Sequence, residues 1–294
     1  MQNPKVSVIK KGWVRALLFF LTIVLIGYLV SYLLFGENPL DTGTSKPILS
    51  LPFFSLLEGY FLFSDLLYII AFIIFLKMLD RDSLRSAGLF WNGNAAITGM
   101  LFSIALLGIG TTILYLAGKL VWTGPESPFY ELYPIMLVLF IAAAAEEIVF
   151  RGYILSRLKE SVNSVWAIFI SAAGFTVMHA TNPDIDWMPL VNIFLGGIFF
   201  GIGCQYYGGN LCFPILFHFG WNFIQGPVLG YKVSGIVLPS LLGQDLSGNA
   251  LLTGGGFGLE GSILTALLFL SASAILGYHG KRTIFQKENA VAPR

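Results

Sequence analysis

Residues 132–157 read LYPIMLVLFIAAAAEEIVFRGYILSR. Its apolar opening continues into a run long enough to cross the ~30 Å hydrocarbon core of a bilayer, which takes about 20 residues of helix. Yet the run carries two adjacent carboxylates, Glu146 and Glu147, and a guanidinium, Arg151. A charge at the centre of a membrane helix costs about 2.5–3.5 kcal/mol on insertion scales. The stretch therefore predicts a membrane span whose charged residues pair, line a wet cavity or do chemistry.

Seven further runs of similar character lie on either side. The predicted spans are Trp13–Phe35, Gly59–Met78, Ala95–Val121, Leu132–Arg157, Val165–Ala180, Met188–Tyr206, Leu211–Tyr231 and Ser262–Tyr278. Gly and Pro inside them are acceptable, because lipid forces the backbone to satisfy its own hydrogen bonds. Composition agrees: of 294 residues 56% are hydrophobic and only 11% charged, against about 25% charged in soluble proteins. Mean hydropathy is +0.77. These values exclude a soluble globular enzyme, a nucleic-acid-binding protein and a disordered chain. The expected fold is an all-α polytopic membrane bundle of about eight transmembrane helices, a single membrane domain over 1–294.

Lys and Arg in the connections set the orientation. One side collects Lys5, Lys10, Lys11, Arg15, Lys77, Arg81, Arg85, Arg157, Lys159, Lys281, Arg282, Lys287 and Arg294. The other has Lys46, Lys119 and Lys232. Both termini are thus expected in the cytoplasm, with an even number of spans. The first run is too long for a signal-peptide core and lacks a small-residue cleavage site, so it reads as a retained span. Cys204 and Cys212 cannot build a disulfide framework and form no CxxC motif, so they read as free packing residues. The longest connection, about 232–261, holds the glycine-rich stretch 253–261, TGGGFGLEG. No Lys-Ser/Thr follows the glycines, which excludes a Walker loop; a flexible or tightly turned loop is expected in preference to a direct substrate contact. Gly197 and Gly201 form a GxxxG step for close helix packing.

Three polar clusters interrupt the apolar runs. Glu147 and Arg151, four apart, share a helix face and suit a buried ion pair. Glu146, about 100° around the helix, is then the free carboxylate, a candidate general base. The bland alternative is one structural network of all three. Phe175 and His179 share a face of span five. His218 and Asn222 share a face of span seven, where two donors aimed at one point could stabilise an oxyanion or simply join helices. At ~1.5 Å per residue the three groups lie roughly 17, 22 and 10–17 Å from the cytoplasmic end, so they can meet. His279, at the basic end of span eight, reads as a bystander. Glu58 and Asp65, in or near span two, lack a partner motif; they would line the cavity mouth or pair with a neighbouring span.

The ordered set Glu-Glu-x-x-x-Arg (146, 147, 151), Phe-x-x-x-His (175, 179) and His-x-x-x-Asn (218, 222) resembles the CAAX protease and bacteriocin-processing family, also called the type II CAAX prenyl endopeptidase or Abi family. The resemblance covers about 132–231, the presumptive catalytic core, and the 253–261 stretch looks like a segment of bacterial members. It implies an intramembrane endopeptidase hydrolysing a peptide bond of a membrane-associated or lipidated protein or peptide. By motif position, Glu146 and His179 would activate the attacking water. His218 and Asn222 would stabilise the oxyanion, and Glu147 and Arg151 would position the Glu-bearing helix. The family is often described as metalloproteases, and a metal-free glutamate mechanism has been argued for some members. No His-Glu-x-x-His is present, and spacing leaves open a zinc site from Glu146, His179 and His218; a site without cofactor is the expectation adopted. Implied partners are membrane lipid and a protein or peptide substrate, prenylated or not, and no nucleic acid. The implied location is the cell membrane, taking a prokaryotic source. A non-catalytic immunity factor or scaffold is the competing reading. A proton-relay transporter is disfavoured by the lack of an inverted hydropathy repeat.

Overall fold

The computed structural model describes residues 7–35 and 56–291, with side chains from 60 to 280 within the second range. Glu58 has its side chain outside the described ones, and Lys5, Lys46 and Arg294 lie outside the described residues altogether.

Helices fall on each predicted stretch: α1 (Gly12–Phe35), α2 (Leu56–Ile74), α3 (Gly93–Leu116), α4 (Leu132–Glu147), α5 (Ser164–Met178), α6 (Trp187–Tyr206), α7 (Cys212–Phe223) and α8 (Ile263–Val291). Three run on as π-helix, over Phe75–Leu79 after α2, Ile148–Leu155 after α4 and Ile224–Val228 after α7. Among the described residues, six helical stretches are long and apolar enough to cross a membrane: Gly12–Leu34, Tyr60–Leu79, Gly93–Leu116, Phe129–Leu158, Trp187–Tyr206 and Ile263–Gly280. The chain is a multi-pass helical membrane protein. The remaining two helices are shorter than the bilayer core is thick, α5 as its predicted stretch already is and α7 by ending earlier than predicted. α5 has 15 residues, a length of about 22 Å against the ~30 Å core. α7 has 12 residues before its backbone loosens into the π turn at Gly226-Pro227, where Pro removes a backbone donor.

One element departs from an all-α fold. Span three was expected to reach Val121, but α3 stops at Leu116 and Gly118 takes a left-handed φ of +64°, the usual helix-ending role of glycine. Residues Leu120–Pro125 then form strand β1, antiparallel to β2 at Leu242–Leu246. This ribbon binds the α3–α4 connection to the α7–α8 connection. Both lie at one end of the bundle with the α5–α6 turn, since Gly235 packs on Pro183. The opposite end gathers the α2–α3 and α6–α7 turns, where Leu211 N–H donates to the Gly88 carbonyl at 3.1 Å. It also brings the start of α1 onto the end of the α4 rod, through Trp13 N–H on Ser161 Oγ.

Local capping explains where helices begin. Asn92 accepts from Ala95 N–H at the start of α3, Asn163 from Trp166 N–H at α5 and Asp186 from Trp187 N–H at α6; each side chain fills one of the orphan donors of a first turn. Inside lipid, association depends on packing rather than on transfer from water, and small residues set it. Gly197 and Gly201 seat α6 on Ala172 and Ile168 of α5, as the GxxxG step implied. α7 is held between α3 and an aromatic ladder of Phe199, Phe217, Trp221 and Phe269. Its ring centroids lie 4.8 Å (Phe199–Phe217), 5.7 Å (Phe217–Trp221) and 5.1 Å (Trp221–Phe269) apart. Cys204 and Cys212 are free.

Candidate active site

The last turn of α4 delivers Glu146 and Glu147 side by side, and they face different neighbours. Glu147 is fully buried. Its Oε1 accepts from Arg151 Nη1 at 2.9 Å and lies 3.0 Å from His218 Nδ1 on α7. Arg151 spends its other arm on the Gly197 carbonyl of α6 at 3.1 Å. Its guanidinium sits 4.6 Å from the Phe175 ring and 4.9 Å from the Phe200 ring, a desolvated cation between aromatic faces. The pair expected from i, i+4 spacing therefore exists, and it reaches three other helices.

Glu146 faces elsewhere. Its Oε2 lies 3.7 Å from His179 Nε2 and 3.8 Å from His218 Nε2. Both separations exceed a direct hydrogen bond, and Oε2 is buried with no hydrogen-bond partner. The carboxylate as a whole is the most open of the group, at 25% side-chain exposure against 16% for His179 and 9% for His218.

The two imidazoles are oriented from behind. His179 caps the C-terminus of α5, with Nδ1 2.8 Å from the Phe175 carbonyl. A carbonyl only accepts, so Nδ1 carries the proton and Nε2 presents a lone pair toward Glu146 in the neutral ring. His218 is oriented by Glu147 at Nδ1 and stacks on Phe200 at 5.2 Å. Phe175 contributes more than helix register: its ring is 4.5 Å from His179 and 6.1 Å from His218, so it wedges between both histidines and Arg151.

Five of the six sequence candidates, Glu146, Glu147, Arg151, His179 and His218, thus converge. Asn222 sits one turn beyond His218 on α7, partly exposed, with no side-chain hydrogen bond to another described residue. His279 stacks against Tyr278 towards the far end of α8. Asp65 of α2 is buried within electrostatic reach of Glu146, and its Oδ2 has no hydrogen-bond partner. It is a third carboxylate of the neighbourhood, without an ion pair among the described residues. No set of three or more His, Cys, Asp or Glu side chains among the described residues is disposed to hold a metal ion.

Residues 128–224 match the family described as type II CAAX prenyl endopeptidase Rce1-like. That segment is similar to the Rce1-like CAAX endopeptidase family. The description of that family is of an endopeptidase. A protein of Mycoplasma capricolum subsp. capricolum, named only as uncharacterized, is 33% identical over 94 residues, 31% of this chain and 26% of its own length. The chain therefore spans about a quarter of that curated relative. The Rce1-like segment contains all six candidates and ends just after Asn222.

One residue near the site lies beyond the Rce1-like segment and was read from sequence only as part of a glycine-rich loop. Glu260, in the 3₁₀ turn Leu259–Gly261, accepts from the indole N–H of Trp221 at 3.3 Å and from the backbone N–H of Ser234. Enclosure by protein pushes its carboxyl above the ordinary glutamate value; the donors Ser234 and Trp221 and the neighbouring His179 only partly offset that. The signal in the sequence was a lone acid among glycines, with no spacing to a partner.

Proposed function

We propose that the chain is an intramembrane endopeptidase in which Glu146 and His179 activate water and His218 and Asn222 stabilise the oxyanion. The observation that carries this reading is the placement of the unpartnered Glu146 Oε2 at 3.7 and 3.8 Å from two imidazole Nε2 atoms. Separations of that size exceed a direct hydrogen bond and suit a water held between the groups. In the proposed step Glu146 takes a proton from that water, the oxygen attacks the scissile carbonyl carbon, and its C=O electrons move onto oxygen. His179 Nε2 accepts the second hydrogen bond of the water. His218, donating Nδ1–H to Glu147 and Nε2–H forward, and the Asn222 amide face the oxyanion, where such donors are worth 10²–10³ in rate. The oxyanion then re-forms the C=O bond as the C–N bond breaks, and Glu146 returns its proton to the leaving nitrogen, giving a carboxylic acid and an amine. Glu147 and Arg151 are positioning residues in this scheme, and 132–231 is its catalytic core.

The same reading carries the finer topology. All eight helices are embedded, the short α5 and α7 included, with both termini cytoplasmic as the Lys/Arg bias requires and the cell membrane as location. The substrate is a membrane-associated or lipid-anchored peptide, and the site works without a metal cofactor. The test is cleavage of a quenched fluorescent farnesylated CAAX peptide by detergent-purified protein, wild type beside Glu146→Gln, each with and without a zinc chelator. Turnover lost in Glu146→Gln and kept with chelator is the expected result. Turnover lost with chelator would return zinc to Glu146, His179 and His218. A fully active Glu146→Gln enzyme would remove Glu146 as the base.

A further inference from the structure

The connection over 230–262 is closely built rather than slack. Gly254 has φ +87°, and a Cβ there would lie 1.8 Å from the Gly258 carbonyl oxygen; Gly258 has φ +101°, and a Cβ would meet the Lys232 oxygen at 2.1 Å. Two non-glycine residues hold left-handed backbone at this end, Asp184 at φ +52° and Ser234 at φ +51°, a conformation that persists only where surroundings over-determine it. Lys232 Nζ meets Asp184 Oδ2 at 2.9 Å, and Gly235 N–H donates to the Phe257 carbonyl at 3.0 Å. The loop is thus fastened to the α5–α6 turn that follows His179.

Glu260 is where this cap meets the helices. One carboxylate oxygen takes the Ser234 N–H, whose strained backbone aims it inward. The other takes the Trp221 indole N–H of α7, and the Glu260 carbonyl accepts from Asn192 Nδ2 of α6 at 2.7 Å. Trp221 is nearly fully buried in the aromatic ladder. It lies between His218 and Asn222 in sequence, so its azimuth sets theirs: three residues of helix separate it from His218 and one from Asn222.

We propose that Glu260 is a positioning residue for the peptidase site, fixing through the Trp221 indole the rotation of α7 that presents His218 and Asn222 to the substrate carbonyl. The proposal rests on the peptidase reading above. Glu260 touches neither Glu146 nor the reacting atoms; it acts through Trp221.

The experiment compares steady-state cleavage of the quenched peptide by wild type, Glu260→Ala, Glu260→Gln, Trp221→Phe and the Glu260→Ala/Trp221→Phe double variant, with melting temperatures alongside. Small misplacements of catalytic groups cost up to 10²-fold in rate. Glu260→Ala and Trp221→Phe are each expected to lower kcat about tenfold with KM nearly unchanged, and the double variant to be no worse than either, because both cut one link. Glu260→Gln keeps an acceptor oxygen and should restore most of kcat. Additive losses, a loss confined to KM, or a kcat loss matched by loss of folded protein would overturn the proposal. Amide hydrogen exchange of wild type and Glu260→Ala in detergent separates this from the peptidase reading. If wild type cleaves no peptide, that reading falls. Faster exchange over 218–228 in Glu260→Ala would then still uphold the Glu260–α7 link, and unchanged exchange would remove it as well.

Discussion

Arg15 and Arg151 are the two most deeply buried arginines among the described residues, and what surrounds each is instructive. Arg15, 2% exposed at the start of α1, meets Asp80 and Glu160 in direct ion pairs, and Arg157 adds bonds to Glu160 at 2.9 Å and longer pairings to Asp80 and Asp82. Cations and anions are interleaved, and the cluster ties the start of α1 to the ends of the α2 and α4 rods. Arg151, equally buried, neutralises Glu147 and stops there; beside it Glu146 Oε2 keeps no partner. In the first cluster each carboxylate is engaged by at least one guanidinium, although Asp80 Oδ2 itself lacks a hydrogen bond. The second leaves one carboxylate uncommitted between two histidines, which suits a group that must change its bonding during a reaction.

The sharpest break of this comparison is Glu146→Gln. It should lower kcat by about 10²–10⁴-fold, the range for a general base, while the melting temperature stays within error; a matching fall in melting temperature would make Glu146 structural like Asp80. Next is Glu147→Ala, which strands a buried guanidinium. One-sided loss of a buried pair costs about 3–5 kcal/mol, so the folded fraction in a detergent melt should drop, with orientation of His218 lost as well. Arg15→Ala should cost less, about 2 kcal/mol for hydrogen bonds to charged groups, since Arg157 remains beside Asp80 and Glu160. Cleavage per folded molecule should be unchanged in Arg15→Ala, and a kcat change would join the two clusters functionally.

The smallest effect is in the pH dependence, and its sign differs between the two ends. Partial burial pushes Asp82 up, but hydrogen bonds from Ser86 and the Ser83 N–H and the charge of Arg157 outweigh it and hold the carboxyl below its ordinary 3.8. The stability it contributes is present above pH 3.8 and disappears as the pH falls further. Glu260 is raised above 4.5 by enclosure. Its contribution is full below pH 4.5 and declines as the pH rises past it. Melting temperature against pH for Asp82→Asn and Glu260→Gln checks both: the first should flatten the acid side, the second the slope from pH 4.5 upward.

Much of the site was legible because it is local. Glu147–Arg151 is an i, i+4 pair, and the 100° offset of Glu146 follows from helix geometry. The histidine motifs were legible through a resemblance rather than through physics, since nothing in Phe175-x-x-x-His179 alone says that its ring also packs on Arg151. What escaped was long-range or depended on backbone detail. Arg15–Asp80 spans 65 residues with no shared pattern, and Arg15 reads as an ordinary basic flank. Leu120–Pro125 continues the apolar run of α3, so only Gly118 marked the turn into β1. Trp221–Glu260 joins residues 39 apart, one of them hidden among glycines.

The eight residues of π-helix at Ile148–Leu155 carry Arg151 and lie between the Glu146–Glu147 pair and the Arg157–Glu160 anchor on a single rod. A π turn bonds to the fifth residue back rather than the fourth, so the backbone beyond it is out of phase with an uninterrupted α-helix. Upstream, the rod is keyed to the histidines through Glu146 and Glu147; downstream, it is keyed to α1 through Arg157 and Glu160. The π segment works as a phase adjuster that lets both keys fit at once. Deleting one residue within it would restore α phase and rotate the downstream half by about 100°, so the protein could satisfy the catalytic end or the anchoring end, but not both.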